Sequence, residues 1–454
     1  MQKFLPFALI MLPLLFMSCP KETEADFSGV SLDLRTAVIG GTAVNVPSDF
    51  AGMCHAGYSN NLEREYAMLD EMNVVWLHRD FSWSSIERNE GEFNFSGFDA
   101  YVQKANAEER KVMGMLLYDV GWVHTKHGNP GDRRIWPNEI PDFCNYAVKT
   151  VERYNGLNGY GKVDAWLIWN EPDLAPRFWT DPKSDPDAIV DFFALTKATA
   201  EAVRALDAEK GTNTTLIGGV FTALSSDAWV KGLFEYEDGA IKDLIDGVAY
   251  HPYSPLPIGA ANVSMSLMER VAPYGFAGKV WINEMGYPTY SERGPIPSGR
   301  YGTDQYEGDM PEVVAKTFTL LAVAKVRSLT WYHLFDGANR KDSDSEDWFG
   351  LVWRKNDDEW IKKGGYWAYS ICAQHLPGKQ YQSLTFSGSV PEDIETYYFA
   401  GDNGSRALLV WNSNPVQAVE VQASFNGSNH RLWNVETGES ESVDKTSTHK
   451  LNPI

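Results

Sequence analysis

The chain has 454 residues, of which 43% are hydrophobic and 22% charged, a globular balance that excludes a disordered or coiled-coil protein. That length suits one large α/β domain with a smaller one beside it. Lys and Arg number 40 against 61 Asp and Glu, and the resulting net charge of −21 opposes binding to nucleic-acid backbones and anionic membrane surfaces.

Lys3 is followed by an almost wholly apolar run from Phe4 to Met17. Such a run at an N-terminus is too short to span a bilayer comfortably and reads as an export signal over residues 1–18. Ser18-Cys19 follows, a small residue before a cysteine, as at the processing site of a bacterial lipoprotein. Export to the periplasm, or anchoring at the outer membrane through a lipid on Cys19, is therefore expected. Residues 19–35 read as a polar tether followed by a strand that could join a later β sheet. Cys54, Cys144 and Cys372 are far apart and odd in number, which gives no disulfide framework and leaves room for one bridge. No CxxC or HExxH metal pattern occurs.

From there short apolar segments alternate with amphipathic ones, the rhythm of βα units. Residues 50–55 end a first strand. Asn60 is placed to cap the next helix with Glu63 as its reciprocal partner, and Leu62, Tyr66, Leu69 and Met72 recur at helical spacing. Further strands are predicted at residues 73–78, 111–118, 164–169, 215–220, 247–250, 279–282 and 328–334. Between them, Phe143, Ala147, Val151 and Tyr154 mark one helical face and Val313, Val314, Phe318, Leu321, Ala322 and Val326 another. Eight strands with intervening helices predict a closed (β/α)₈ TIM barrel over residues 36–376. After Pro377-Gly378 the pattern becomes alternating, as in Ile394–Phe399, Ala407–Trp411 and Val419–Phe425, with turn residues at Asp402-Asn403-Gly404 and Asn426-Gly427. Residues 377–454 are expected to form a small all-β, sandwich-like accessory domain.

Two strands carry the same design at their C-terminal ends. Ala165-Trp-Leu-Ile-Trp-Asn-Glu-Pro-Asp173 delivers Asn170 and Glu171, and Val280-Trp-Ile-Asn-Glu-Met-Gly286 delivers Asn283 and Glu284 three βα units later. In a closed barrel those ends face each other across the mouth where barrel enzymes place their chemistry. Two carboxylates converging there are what glycosidic cleavage requires. The 16 Trp, 21 Tyr and 22 Phe fill cores, and a few near strand ends could serve as platforms for sugar rings.

Asn170-Glu171-Pro172 and Trp281-Ile-Asn-Glu284 resemble the acid/base and nucleophile motifs of the clan A glycoside hydrolases. The order over residues 50–376 is similar to family thirty-nine, which includes β-xylosidases, α-L-iduronidases and some endo-acting members. The family often has Thr before the nucleophile where this chain has Asn283, a departure that bears on subfamily more than on chemistry. The resemblance implies a retaining glycoside hydrolase of plant or microbial oligosaccharides or polysaccharides, such as a β-xylosidase, with Glu171 as acid/base and Glu284 as nucleophile. It implies that Arg79 is a buried cation beside Glu284, that Asn170 bonds the sugar 2-hydroxyl, and that His251 and Tyr253 orient the nucleophile or substrate. Tyr118, Trp122 and Trp331 are candidate sugar contacts. No metal or organic cofactor is required, and no oligomeric state is indicated. The competing readings are an endo-acting β-glycanase, a non-catalytic surface glycan-binding protein and a metal-dependent hydrolase.

Overall fold

The computed structural model describes residues 30–290, 305–306, 310–337, 345–413, 419–426, 430–435 and 437–451. The export segment, Cys19 and residues 19–29 of the tether lie outside them. The first strands are β1 (Val30–Asp33), β2 (Val38–Asn45), β3 (Ala51–Cys54), β4 (Trp76–Ser82), β5 (Lys111–Leu117), β6 (Ala165–Ile168) and β7 (Thr215–Thr222). Then follow β8 (Gly247–His251), β9 (Val280–Met285), β10 (Thr289–Tyr290), β11 (Gln305–Tyr306) and β12 (Leu329–Trp331). Strands β3 to β9 and β12 close into a parallel barrel in the order β12-β3-β4-β5-β6-β7-β8-β9, with helices between them. All eight predicted strands are present, so the (β/α)₈ expectation holds.

Period-two alternation along these strands separates two cores. Trp76, Met113, Met115, Leu117, Ala165, Leu167, Ile217, Val220, Ala249 and Trp281 fill the barrel interior. Trp76 and Trp281 meet there edge to face at 5.3 Å. The intervening residues pack outward against the helices, including Ile140–Arg153, where Phe143, Ala147 and Val151 are buried as their spacing predicts. Gly114 on β5 allows this layer to form, since a Cβ there would stand 2.6 Å from the Trp166 ring. The first helix, Leu62–Glu71, starts one residue later than expected. Its cap is Asn61, whose side chain accepts from Arg64 N at 3.1 Å, while Asn60 donates to Asp357 instead. At the opposite end of the barrel, Asp49 holds Arg327 (2.7 and 2.8 Å) and Lys111 (2.7 Å), tying together the segments at β3, β5 and β12.

The remaining strands are β13 (Val352–Arg354), β14 (Trp360–Lys362), β15 (Gln380–Thr385), β16 (Ile394–Ala400), β17 (Arg406–Asn412), β18 (Val419–Ser424), β19 (His430–Trp433), β20 (Ser440–Val443) and β21 (Thr446–Leu451). β13 and β14 pair as a hairpin before the helix Gly364–His375, and β15 to β21 give an all-β part with one sheet ordered β17-β16-β15-β2, another ordered β1-β18-β21 and a hairpin of β19 and β20. The N-terminal segment thus supplies two of its strands. Val30–Asp33 runs parallel to β18, and Val38–Asn45, which the sequence placed in the barrel, is antiparallel to β15. A closed barrel offers no edge to an extra strand, whereas an open sheet does. The barrel therefore begins at Ala51 and not at residue 36. Lys316–Glu395 (2.7 Å) and the His375–Trp433 ring contact (5.0 Å) join the two parts. Cys54, Cys144 and Cys372 are all free thiols. Among the described residues no helix is long and apolar enough to cross a membrane.

Candidate active site

β6 and β9 stand on opposite sides of the barrel, and each ends in one of the two glutamates. After β6 the backbone leaves extended geometry abruptly: Trp169 and Glu171 have φ of 66° and 41°, left-handed values that non-glycine residues adopt at a cost. The turn is held from outside. Trp169 Nε1 donates to Phe178 O at 2.9 Å, and the Asp173 carboxylate accepts from Thr222 Oγ1 at 2.6 Å. These contacts set Asn170 and Glu171, both buried, at the mouth. On β9, Cys54 Sγ donates to the Asn283 carbonyl at 3.0 Å and fixes the backbone just before Glu284.

His251, at the end of β8, lies between the carboxylates. Its Nδ1 donates to Glu171 Oε1 at 2.7 Å and is 3.9 Å from Glu284 Oε1. These two carboxylate oxygens are therefore at most about 6.6 Å apart, within reach of the roughly 5–5.5 Å of retaining glycosidases and below almost all of the inverting range of roughly 6.5–9.5 Å. Tyr253 Oη donates to Glu284 Oε1 at 2.6 Å.

The electrostatics follow from this packing. Burial alone would lower the His251 imidazolium, but the charges of Glu284 and Glu171 outweigh it and push His251 up to about 9. Burial raises the Glu284 carboxyl; His251 pulls it down, Glu171 pushes it up and Tyr253 pulls it down, with a net upward shift. Tyr253 can only donate to a carboxylate, so it favours Glu284 as the charged member of the pair. Glu171 accepts at Oε1 and keeps Oε2 without a described protein partner, available to carry a proton toward a ligand.

No family model matches the sequence, and no curated protein matches it. Solved structures do match in fold. A family 39 glycoside hydrolase from the gut symbiont Bacteroides cellulosilyticus superposes with a TM-score of 0.66 at 18% identity, covering 89% of this chain and 79% of that one. An endo-β1,6-glucanase gives 0.60 at 14% identity, covering 95% and 94%. A family 30 endoxylanase from Clostridium papyrosolvens gives 0.57 at 16% identity, covering 94% and 97%. These structural neighbours are clan A glycoside hydrolases, and at such identities the likeness is one of fold.

Of the residues singled out in the sequence, Glu171, Glu284, Asn170, His251, Tyr253 and Tyr118 come together. The Tyr118 phenol is pushed up by burial and by the charges of Asp80, Glu284 and Glu171, with Asn170 beside it. Arg79 does not take its expected place beside Glu284. Its guanidinium lies over the rings of Tyr58 (4.6 Å), Tyr101 (4.8 Å) and Phe98 (5.5 Å), because on β4 the inward positions are Trp76, His78 and Asp80, and Arg79 falls between them. The cation at the pair is His251. Trp331 is not a sugar contact either. It is wholly buried in the layer between barrel and helices, with Tyr369 at 6.3 Å, because its parity on β12 points it outward. Trp122 bonds Glu87 O at 3.0 Å and packs edge-on against Trp83.

Three mouth residues escaped the sequence reading. Tyr332, next to Trp331, feels the charge of Glu284 and donates to Glu346 at 3.1 Å. His55 stacks edge-on against Tyr332 at 5.2 Å. Asp80 is solvent-accessible but deep in the mouth. Desolvation there pushes its carboxyl up to about 6 against the pull of Arg79 and His251. It has no hydrogen-bond partner among the described residues. Its signal was available: with Trp76 inward, strand parity carries Asp80 inward too. Among the described residues no group of three or more His, Cys, Asp or Glu is placed to hold a metal ion.

Proposed function

We propose that this protein is a retaining O-glycosyl hydrolase with Glu284 as nucleophile and Glu171 as acid/base. The observation that carries this reading is the short bridge Glu171–His251–Glu284, in which only Glu284 also receives a tyrosine hydroxyl. In the first displacement Glu284 attacks the anomeric carbon while Glu171 gives its proton to the departing oxygen. In the second, Glu171 takes a proton from water, which attacks the same carbon and releases Glu284. Asn170, Tyr118 and Asp80 face the reacting sugar. The substrates proposed are β-linked oligosaccharides or polysaccharides of plants or microbes, with β-xylosides first among them. The apolar N-terminal run and Ser18-Cys19 support a place outside the cytoplasm, with Cys19 as a lipid anchor.

The test pairs two variants on aryl β-xyloside, β-glucoside, β-galactoside and α-L-arabinoside. Glu284→Ala should lose nearly all turnover, and azide should restore part of it, giving a product of inverted configuration because one displacement remains. Glu171→Gln should lose about 10²–10⁴-fold on poor leaving groups and much less on activated ones. A glycan-binding protein without catalysis predicts binding of oligosaccharides and no turnover of any substrate by the parent. Turnover of Glu284→Ala within about tenfold of the parent would refute the nucleophile assignment.

A further inference from the structure

A cavity of about 620 Å³ opens beside the carboxylate pair. That size is typical of a small-molecule site. Its walls come from the segments after β3 and β12 and from the β13–β14 turn, and include His55, Tyr58, Asn60, Arg354 and Asp357. β12 and β3 follow β9 around the barrel, whereas β6 stands across it. His55 links the cavity to the reaction centre, since its imidazole feels the charge of Glu284. The cavity therefore lies on the nucleophile side of the pair, the side that holds the sugar being transferred and whatever precedes it.

Tyr58 is a built platform. The residue is 47% exposed, one face of its ring is covered by the Arg79 guanidinium at 4.6 Å, and its hydroxyl is 3.0 Å from His55 Nδ1. A ring backed by a cation and pinned at its tip presents its other face at little entropic cost. The displaced Arg79 thus has a purpose of its own.

The charges around the cavity fall into two groups. Glu65 spends both oxygens on the backbone N–H groups of Gly57 (2.6 Å) and Ser59 (2.8 Å), and Asp336 binds Lys363 (3.0 Å). Arg354 and Asp357 form no ion pair with each other or with any other described residue. The Arg354 guanidinium rests on the Phe335 ring at 4.4 Å, and Asp357 accepts only from Asn60 Nδ2 at 3.3 Å. An anionic ligand would meet Asp357 and a cationic one Arg354. A neutral polyol suits both, because its hydroxyls accept from the guanidinium and donate to the carboxylate.

We propose that this cavity is a second sugar subsite, which takes a neutral pyranose unit preceding the reacting one. The pyranose packs one face on Tyr58, and its hydroxyls bridge Arg354 and Asp357. This rests on the glycosidase reading above and adds that the enzyme works best with at least two sugars on the non-reducing side of the cleaved bond.

The test compares Arg354→Met and Asp357→Asn with the parent on 4-nitrophenyl β-xyloside and β-xylobioside, and on 4-nitrophenyl β-glucoside and β-cellobioside. Neither residue touches the carboxylate pair. The parent should prefer the bioside, and each variant should lose roughly 10- to 100-fold in kcat/KM on the bioside while staying within about twofold on the monoside. Equal losses on both substrates, or no loss on the bioside, overturn the subsite while leaving the glycosidase reading intact. If the parent cleaves none of the four, the wider panel above decides the glycosidase reading separately, and calorimetry with xylobiose and cellobiose decides the subsite. Binding by the parent that both variants weaken supports it. Absent or unchanged binding overturns it.

Discussion

Replacing Tyr253 with Phe removes one hydroxyl from the site and tests how Glu284 is kept charged. The bond it removes, Tyr253 Oη to Glu284 Oε1 at 2.6 Å, is in the short range of hydroxyl–carboxylate bonds. Hydrogen bonds to charged groups contribute about 1.5–3 kcal/mol. At about 1.36 kcal/mol per pKa unit, losing this one should raise the Glu284 carboxyl by roughly 1–2 units. Glu284 is 22% exposed, so water replaces part of the loss and the lower figure is expected. The sign is fixed, because removing a donor to the charged form raises a carboxyl pKa and the nucleophile then ionises only at higher pH. The assay is kcat/KM against pH on an activated aryl glycoside, whose acidic limb reports the group that must lose its proton in the free enzyme. That limb should move up by about one unit, and the plateau should fall about tenfold as the covalent step loses its donor. An even loss at every pH with the limb unmoved would refute the reasoning, since a merely structural tyrosine behaves that way.

Two further outcomes follow from single carboxylates. Asp80, pushed up to about 6, should accept a substrate hydroxyl more strongly when ionised, so KM in the parent should fall as pH rises through 6 and stay flat in Asp80→Asn; a flat KM in the parent would sink this role. Asp49 sits at about 2 against an ordinary 3.8, where burial is outweighed by Arg327 and Lys111. A depressed carboxyl stabilises the fold above its unfolded value and loses that contribution as pH falls through about 2. The shift corresponds to about 2 kcal/mol. Urea unfolding should show Asp49→Asn less stable by about that amount at pH 6, with the gap closing toward pH 2, and a gap that does not change with pH would contradict the assignment.

Much of this was legible in the sequence because burial patterns write themselves into strands. The eight barrel strands carry short apolar runs, and both glutamates follow such runs directly, so strand count alone set them across the mouth. Parity was harder. Arg79 lies within β4 and Trp331 ends β12, yet each points outward, and the neighbouring Asp80 and Tyr332 face the site. A one-residue change in parity turns a side chain from one face to the other, and a strand read from hydropathy is bounded no better than that. The strand Val38–Asn45 shows a second limit. The boundary read at residue 36 put it in the barrel, and its true partner depends on the closure of a barrel whose last strand lies nearly three hundred residues later. The cavity beside β12 was hidden for the same reason, since Tyr58, Arg354 and Asp357 converge only in three dimensions.

Putting His251 where an arginine was expected changes what the site can do. A guanidinium stays charged at any pH a protein survives. An imidazolium with a pKa of about 9 is a cation at neutral pH and loses its charge at the edge of the alkaline range. Below that point His251 offsets the mutual repulsion of Glu171 and Glu284 at 2.7 and 3.9 Å; above it both carboxylates lose their only close counter-charge among the described residues, and a proton shared by the pair is held differently. Loss of the His251 charge therefore contributes to the basic limb of the rate profile. In Glu171→Gln the carboxyl proton is gone, but the imidazole remains beside Glu284, so a limb should persist on the alkaline side and report the histidine alone. With an arginine at this position that limb would be absent. The choice of His over Arg thus makes the nucleophile's environment titratable, while the arginine is released to brace Tyr58 at the neighbouring cavity.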